Sequence, residues 1–130
     1  MTPAELKILQ GLAEQKRLKD MAELTRANAQ TAATAAQMAA LASEINDNLE
    51  DAPPEDLAII SRWLGWADQE NTRLTMRRNI QEQQAESARS FAAISDAKTR
   101  VIKDMLQHAE YQDLLKSRRK AEEEGRAPDR

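Results

Sequence analysis

One stretch of sequence decides the fold: NDNLEDAPPED, residues 46–56. Its first three residues are weak helix formers that favour turns, and a helix cannot continue through the proline pair at 53–54. The two acidic residues after the prolines suit the positive end of the dipole of a new helix. The stretch therefore predicts that one helix ends and another begins here, with a turn at about residues 49–53.

Helix signals continue outward from this turn in both directions. Thr2-Pro3-Ala4-Glu5 has the pattern of a capped helix start. After Pro54 the next proline is Pro128, and Gly125 marks a stop just before it. We therefore predict helix 1 at about 3–48, helix 2 at about 54–124 and a frayed tail at 125–130. A connector this short places neighbouring helices antiparallel.

The composition supports a helical chain without a globular core. Of the apolar residues 23 are alanine, and the sequence has four aromatic residues, one valine and seven Gly and Pro residues in 130. Such a mixture argues against α/β and all-β domains and is typical of long helices. The predicted fold is all-α: one elongated domain, 1–130, forming an antiparallel two-helix coiled-coil hairpin with a longer second helix.

Apolar and small residues recur with heptad spacing in both helices. In helix 1 the predicted interface positions are Met21, Leu24, Asn28, Thr31, Ala35, Met38, Ala42, Ile45 and Leu49, with a break in register at Lys16 and Arg17. In helix 2 they are Ile60, Leu64, Ala67, Asn71, Leu74, Gln81, Ala85, Ala88, Ala92, Thr99, Ile102 and Leu106, with Phe91, Ile94, Val101 and Met105 alongside. Each helix therefore offers one stripe to the other.

Folding about the turn predicts which residues lie opposite each other. If the chain reverses at residues 51–54, facing residues have numbers that add up to about 105. The alanine-rich tract 32–42 then faces Trp63 and Trp66, and helix 1 ends opposite about residue 102. Residues 103–124 would lack a partner within the chain, although they include Met105, Leu106, Tyr111, Leu114 and Leu115. We expect another molecule to cover such an apolar overhang.

The sequence lacks the patterns of an enzyme. It has no cysteine, and no nucleophile pattern surrounds the single histidine, His108. The three scattered glycines cannot form a phosphate-binding loop. We therefore expect no catalytic residue, no metal and no cofactor. The uncharged run 27–43 is too polar to cross a membrane, and a net charge of −3 gives no general attraction to nucleic acid.

Two local features allow two interpretations each. The basic cluster at residues 116–120 is either one side of a mixed-charge helix face or a patch for an acidic protein partner. Trp63 and Trp66 either pack against the alanine-rich tract or anchor a partner protein.

A capped first helix, a short turn and a longer second helix with a charged end resemble the FliJ family of flagellar export proteins and similar type III secretion stalk proteins. The most specific part of the resemblance is IISRWLGWADQEN, residues 59–71. In that family an aromatic or aliphatic residue, leucine, alanine and histidine at this place contact the export gate. Ile60, Leu64 and Ala67 match the pattern, whereas Asn71 replaces the histidine. The stretch 118–126 is similar to the family's basic-then-acidic ending.

The resemblance implies a non-catalytic, cytoplasmic stalk, peripheral at the membrane-associated export machinery. Its paired termini would insert into a hexameric export ATPase, and its other partners would be the cytoplasmic domain of the export gate and export chaperones. The implied gate-contact residues are Ile60, Trp63, Leu64, Ala67 and Asn71. The implied ATPase-contact residues are Leu106, Tyr111, Leu114, Leu115, Lys116, Arg118 and Arg119.

Other functions remain open at this point. The chain could be a coiled-coil adaptor or assembly protein that self-associates through the overhang, which would make it a dimer where the stalk is a monomer. A secretion chaperone would instead hold the helical tail of an exported substrate. Nucleic-acid binding would show as salt-sensitive retention on heparin.

Overall fold

The computed structural model describes residues 1–125, and these form two α-helices and no strand. α1 spans Pro3–Asp51, a short 3-10 helix spans Pro54–Asp56, and α2 spans Leu57–Gly125. The predicted fold class is confirmed, because the chain is an all-α, antiparallel two-helix hairpin with a longer second helix. Of the predicted tail 125–130, Gly125 belongs to α2 and the other five residues lie outside the described part.

The helix ends follow from capping and from proline. The Thr2 hydroxyl accepts a hydrogen bond from the Glu5 amide at 3.2 Å, so the predicted cap is present. α1 continues to Asp51, three residues beyond the predicted end, because Asn and Asp weaken a helix without breaking it, whereas Pro53 constrains the residue before it. The Asp56 amide then bonds to the Pro53 carbonyl at 3.0 Å, and this 3-10 turn delays the start of α2 to Leu57.

Contacts along the chain divide it into two compact units. The terminal unit joins Met1–Asp20 to the residues from Phe91 onward, and the turn unit is Met21–Ser90. Both helices contribute to each unit, so each is an antiparallel pair of helix segments.

The turn unit has a small apolar core with one polar contact beside it. The core consists of three buried residues and three partly buried ones that pack against them: Leu41, Ala67, Leu74, Met38, Ile45 and Trp63. Ala67 has no exposed surface, since its small side chain allows the two helices to approach closely. The Thr34 hydroxyl donates a hydrogen bond to Oε1 of Gln81 on the other helix at 2.6 Å.

The terminal unit combines apolar packing with a buried polar pair. Leu6, Ala92 and Leu106 are its buried apolar residues. Asp20 and Ser95 are also buried, and the Ser95 hydroxyl donates a hydrogen bond to Oδ2 of Asp20. Because both polar groups are paired, the interface can bury them without leaving an unsatisfied carboxylate.

Four of the nine predicted interface positions of α1 are correct. Leu24, Thr31, Met38 and Ile45 are partly buried, as predicted. The alternate positions are wrong by one residue, because Asp20, Ala27, Thr34 and Leu41 replace Met21, Asn28, Ala35 and Ala42, and the predicted Leu49 is exposed. The prediction placed Met21 and Ala35 in the interface, whereas the structure places their polar neighbours Asp20 and Thr34 there, and partners on α2 satisfy both. No break in register occurs, since the spacing continues through the partly buried Ala13 and Arg17.

The predicted interface positions of α2 are largely confirmed. Eleven of the twelve are buried or partly buried. The exception is Asn71, which is exposed, whereas its neighbour Glu70 is partly buried. Ser95 is an interface residue that the apolar pattern missed. The four apolar residues predicted alongside, Phe91, Ile94, Val101 and Met105, remain exposed.

The predicted pairing register is wrong by about ten residues. The contacting pairs Thr34–Gln81 in the turn unit and Asp20–Ser95 in the terminal unit each have numbers that add up to 115. The prediction let the chain reverse at the proline pair. Trp63, however, lines the same pocket as Asn48 and Ala52. Residues 53–62 therefore make the connection, and α2 comes to lie beside the end of α1 only at about Trp63.

This shift changes what the alanine-rich tract and the overhang contact. The tract packs near Leu74 and Gln81 rather than opposite the tryptophans. Leu106 is only 7% exposed, and Lys7 forms an ion pair with Glu110 at 3.9 Å, so the predicted overhang is paired over its first part. Since the register places Pro3 opposite residue 112, only the stretch 113–125 of α2 extends beyond α1.

We expect Leu74→Ala to destabilise the chain by about 2 kcal/mol or more, because it removes a buried side chain from a core with few members. Leu74 is 3% exposed. The matched control Met76→Ala, at a position 62% exposed on the same helix, should change the free energy of unfolding by less than about 0.5 kcal/mol. Urea unfolding followed by circular dichroism measures both. Equal losses from the two variants would contradict the assigned interface.

Candidate protein-binding surfaces

The residues expected to contact a gate mostly face α1. Ala67 is fully buried, and its side chain offers no surface to a partner. Ile60, Trp63 and Leu64 are partly buried, and Asn71 is exposed. The ring centroids of Trp63 and Trp66 are 6.3 Å apart. The accessible apolar side chains at the start of α2 are instead Leu57, Ile59 and Trp66.

A pocket of about 340 Å³ lies where the end of α1 meets the start of α2. We call it the turn pocket, and its lining consists of Asn48, Asp51, Ala52, Asp56, Ile59, Ile60 and Trp63. Ile60 and Trp63 were predicted as contact residues. Asp51, Asp56 and Ile59 were not predicted as contact residues, although the acidic residues around the proline pair were a signal for two of them.

The sequence around the turn pocket has acidic residues and no basic residue to balance their charge. Between Arg26 and Arg62 there is no lysine or arginine, and the acidic residues are Glu44, Asp47, Glu50, Asp51, Glu55 and Asp56. Within residues 1–125 none of these six carboxylates is in an ion pair, although eight ion pairs occur elsewhere. The pocket therefore combines an apolar wall with unpaired negative charge.

Most of the residues expected to contact an ATPase are accessible. Tyr111, Leu114, Lys116, Arg118 and Arg119 are exposed, and Leu115 is partly exposed. Leu106 is the exception, since it is buried between the helices and stabilises the hairpin instead. The accessible six lie on the part of α2 at and beyond the level of the α1 start, where apolar side chains precede the basic cluster.

The terminal unit also has a groove between its two helices, which we call the terminal groove. Its main lining residues are Leu9, Leu12, Lys16, Phe91, Ile94 and Lys98. α2 is asymmetric here. On the groove side of α2, Phe91 and Ile94 line the groove with Lys98, and Val101 and Met105 follow at helical spacing, whereas the other side has Asp96, Arg100 and Lys103. One side of the terminal unit is therefore suited to apolar contact and the other to water.

Hydrogen bonds hold the pKa of Asp20, at the floor of the groove, below its ordinary value. The largest cause is the hydrogen bond from Ser95, followed by the one from the Lys16 ammonium at 2.9 Å. The pKa of Glu14 is also lowered, mainly by its hydrogen bond from Arg17. The bond from Ser95 links the two helices, whereas the bond from Lys16 lies within α1, and both favour the charged form of Asp20.

Searches of the described residues for a metal-binding group and for a membrane-spanning helix found neither. No group of three or more His, Asp or Glu side chains within residues 1–125 is arranged to hold a metal ion. Neither helix, over the described range, has a stretch apolar enough to cross a bilayer. Comparison with known proteins found no matching family model, no matching curated protein and no matching solved structure.

The Asp20–Ser95 contact predicts a pH dependence of stability. A carboxyl whose pKa is lower in the folded than in the unfolded state stabilises the fold above its unfolded pKa of about 4, and this contribution is lost as the pH falls through the folded value. Between about pH 5 and pH 2 we therefore expect the urea midpoint to fall more steeply in the parent than in Asp20→Asn. Glu14→Gln, which removes a more exposed carboxylate that is paired within α1, should flatten the curve less than Asp20→Asn. Parallel curves for the parent and Asp20→Asn would contradict this assignment.

Proposed function

We propose that this chain is a non-catalytic coiled-coil stalk of a flagellar or other type III protein export apparatus. In this proposal the terminal unit inserts into a hexameric export ATPase in the cytoplasm, and the turn unit contacts the cytoplasmic domain of the export gate. The proposal draws on the resemblance of the sequence to the FliJ family and on the two-helix hairpin with its longer second helix.

The observation that carries the proposal is the exposed apolar side of the terminal unit. Phe91, Ile94, Val101 and Met105 are each between 45% and 59% exposed. Phe91 and Ile94 line the terminal groove together with Lys98, and Val101 and Met105 continue the same side of α2 at helical spacing. The interface between α1 and α2 does not use these four side chains, and apolar side chains exposed together on one side of a helix favour binding of another protein.

The C-terminal part of α2 adds a second contact of different chemistry. Tyr111 and Leu114 are exposed, and four basic residues follow within residues 116–120. Apolar side chains supply contact area in a ring, and the basic residues select an acidic surface and fix orientation. Both surfaces belong to the terminal unit, which is the unit that this proposal places inside the ATPase.

The work of such a stalk is done by binding energy alone. Contact with several subunits stabilises the assembled ring relative to free subunits, because a ligand that binds only one state shifts the equilibrium towards it. A helix pair is not sixfold symmetric, so its contacts with six identical subunits differ. The same binding would therefore make the subunits inequivalent during hydrolysis.

The experiment adds the full chain to the export ATPase of the same organism and measures hexamer formation and the rate of ATP hydrolysis. Both should rise and then saturate. Leu12→Glu places a charge in the terminal groove, so about tenfold more of this variant should be needed for half-maximal stimulation. Leu18→Glu is the matched control: Leu12 and Leu18 are 58% and 56% exposed, and they lie about 120° to either side of the interface of α1.

Light scattering on the same proteins tests self-association, which is the main rival function. A parent dimer that Leu12→Glu dissociates would assign the groove to a second copy of the chain. Absence of both stimulation and complex formation with the ATPase would contradict the stalk proposal.

A further inference from the structure

We propose that the turn pocket binds a basic amphipathic segment of a partner protein, in which lysine or arginine side chains stand beside apolar ones. This inference deepens the proposed function and rests on it only for the partner's place in the export gate. The chemistry of the segment follows from the pocket itself.

The apolar part of the segment is specified by one wall of the pocket. Ile59, Ile60 and Trp63 line that wall, and Ile59 is 70% exposed. Leu57 and Trp66 on the neighbouring turns of α2 are also exposed. A volume of about 340 Å³ exceeds that of one side chain, so the pocket can take one or two large apolar side chains of a helix.

The charge of the segment is specified by the carboxylates of the pocket. Asp51 and Asp56 line the pocket, and four further carboxylates lie within the same stretch of 13 residues, 44–56. No cation of residues 1–125 is in an ion pair with them. A basic partner would be attracted over a distance, whereas an acidic one would be repelled.

The placement of two of these carboxylates, at the end of α1, is unfavourable for folding. The last turn of α1 contains Glu50 and Asp51 but no basic residue, so two negative charges stand at the negative end of the helix dipole. Residues that break a local rule of stability often serve a function. A cation from a partner would interact favourably with the carboxylates and with the helix end at the same time.

A second copy of this chain is a poor occupant of the pocket. Its only dense basic cluster, residues 116–120, is followed at once by Glu122, Glu123 and Glu124. Docking that helix would place three carboxylates near the acidic pocket. Contact between the turn pocket of one chain and the C-terminal helix of the next is also head-to-tail, an arrangement that forms open filaments unless it closes into a ring. The occupant is therefore a different protein.

The test uses a fluorescent synthetic helix of about 18 residues with leucine on one face and lysine and arginine on the other. Fluorescence anisotropy measures its binding to the full chain. We expect binding that weakens as salt rises from about 50 to about 200 mM, and no binding of the same peptide with glutamate in place of each basic residue. Asp51→Asn/Asp56→Asn should weaken binding of the basic peptide at least about tenfold.

The matched control is Glu123→Gln/Glu124→Gln, which removes two exposed carboxylates elsewhere and changes the net charge equally. It should bind the basic peptide like the parent. Urea unfolding of Asp51→Asn/Asp56→Asn should match the parent, because two opposite effects offset each other. Loss of the Asp51 charge removes an unfavourable interaction with the dipole of α1, and loss of the Asp56 charge removes a favourable one at the start of α2. Equal weakening by both double variants, or equal binding of both peptides, would overturn the inference. Concentration-dependent self-association lost in Asp51→Asn/Asp56→Asn would overturn it as well.

This test is separable from that of the proposed function. Peptide binding with neither stimulation of the ATPase nor complex formation with it would leave the turn pocket assigned and the stalk rejected. Stimulation without peptide binding would leave the stalk supported and the basic partner rejected.

Discussion

The structure depends on a narrow interface between two long helices, in which polar pairs stand beside a few apolar contacts. Only seven apolar residues of the described chain are buried, and three of them are alanine. Apolar packing of this size stabilises a helix pair but tolerates sliding by one heptad, since small residues fit several neighbours. The contacts Thr34–Gln81 and Asp20–Ser95 are satisfied in one register only. They cost little because each polar group is bonded, and they determine which residues face the partner helix and which face outward.

The register also determines which side chains face outward and are accessible to a partner. In the terminal unit it buries Leu106 and exposes the groove side of α2, with Phe91, Ile94, Val101 and Met105. In the turn unit it buries Ala67 and exposes Ile59 and Trp66 beside unpaired carboxylates. Two surfaces of different chemistry result, one apolar with basic residues nearby and one apolar with acidic residues. In the proposed function these two surfaces join two partners.

The sequence alone was sufficient for the fold class and for most of α2, because proline, capping residues and heptad spacing are local signals. It was insufficient for the register, because the number of residues in the connection depends on how α2 packs onto the end of α1. It also misassigned five of the nine interface positions of α1, since Asp20 and Thr34 look like surface residues until their partners on α2 are known. The turn pocket was missed for a similar reason: Asp51, Asp56 and Ile59 are brought together only by the 3-10 turn.

Crosslinking tests the register most directly, because the sequence has no cysteine and only the introduced thiols can react. Thr34→Cys/Gln81→Cys and Thr34→Cys/Asn71→Cys place the second thiol at the observed and at the originally predicted partner of residue 34. The two positions on α2 are about 15 Å apart along the helix. With a short bis-maleimide at low protein concentration, the first variant should crosslink within one chain and the second should not. Efficient crosslinking of the second pair alone, or of the first pair only between chains, would contradict this account.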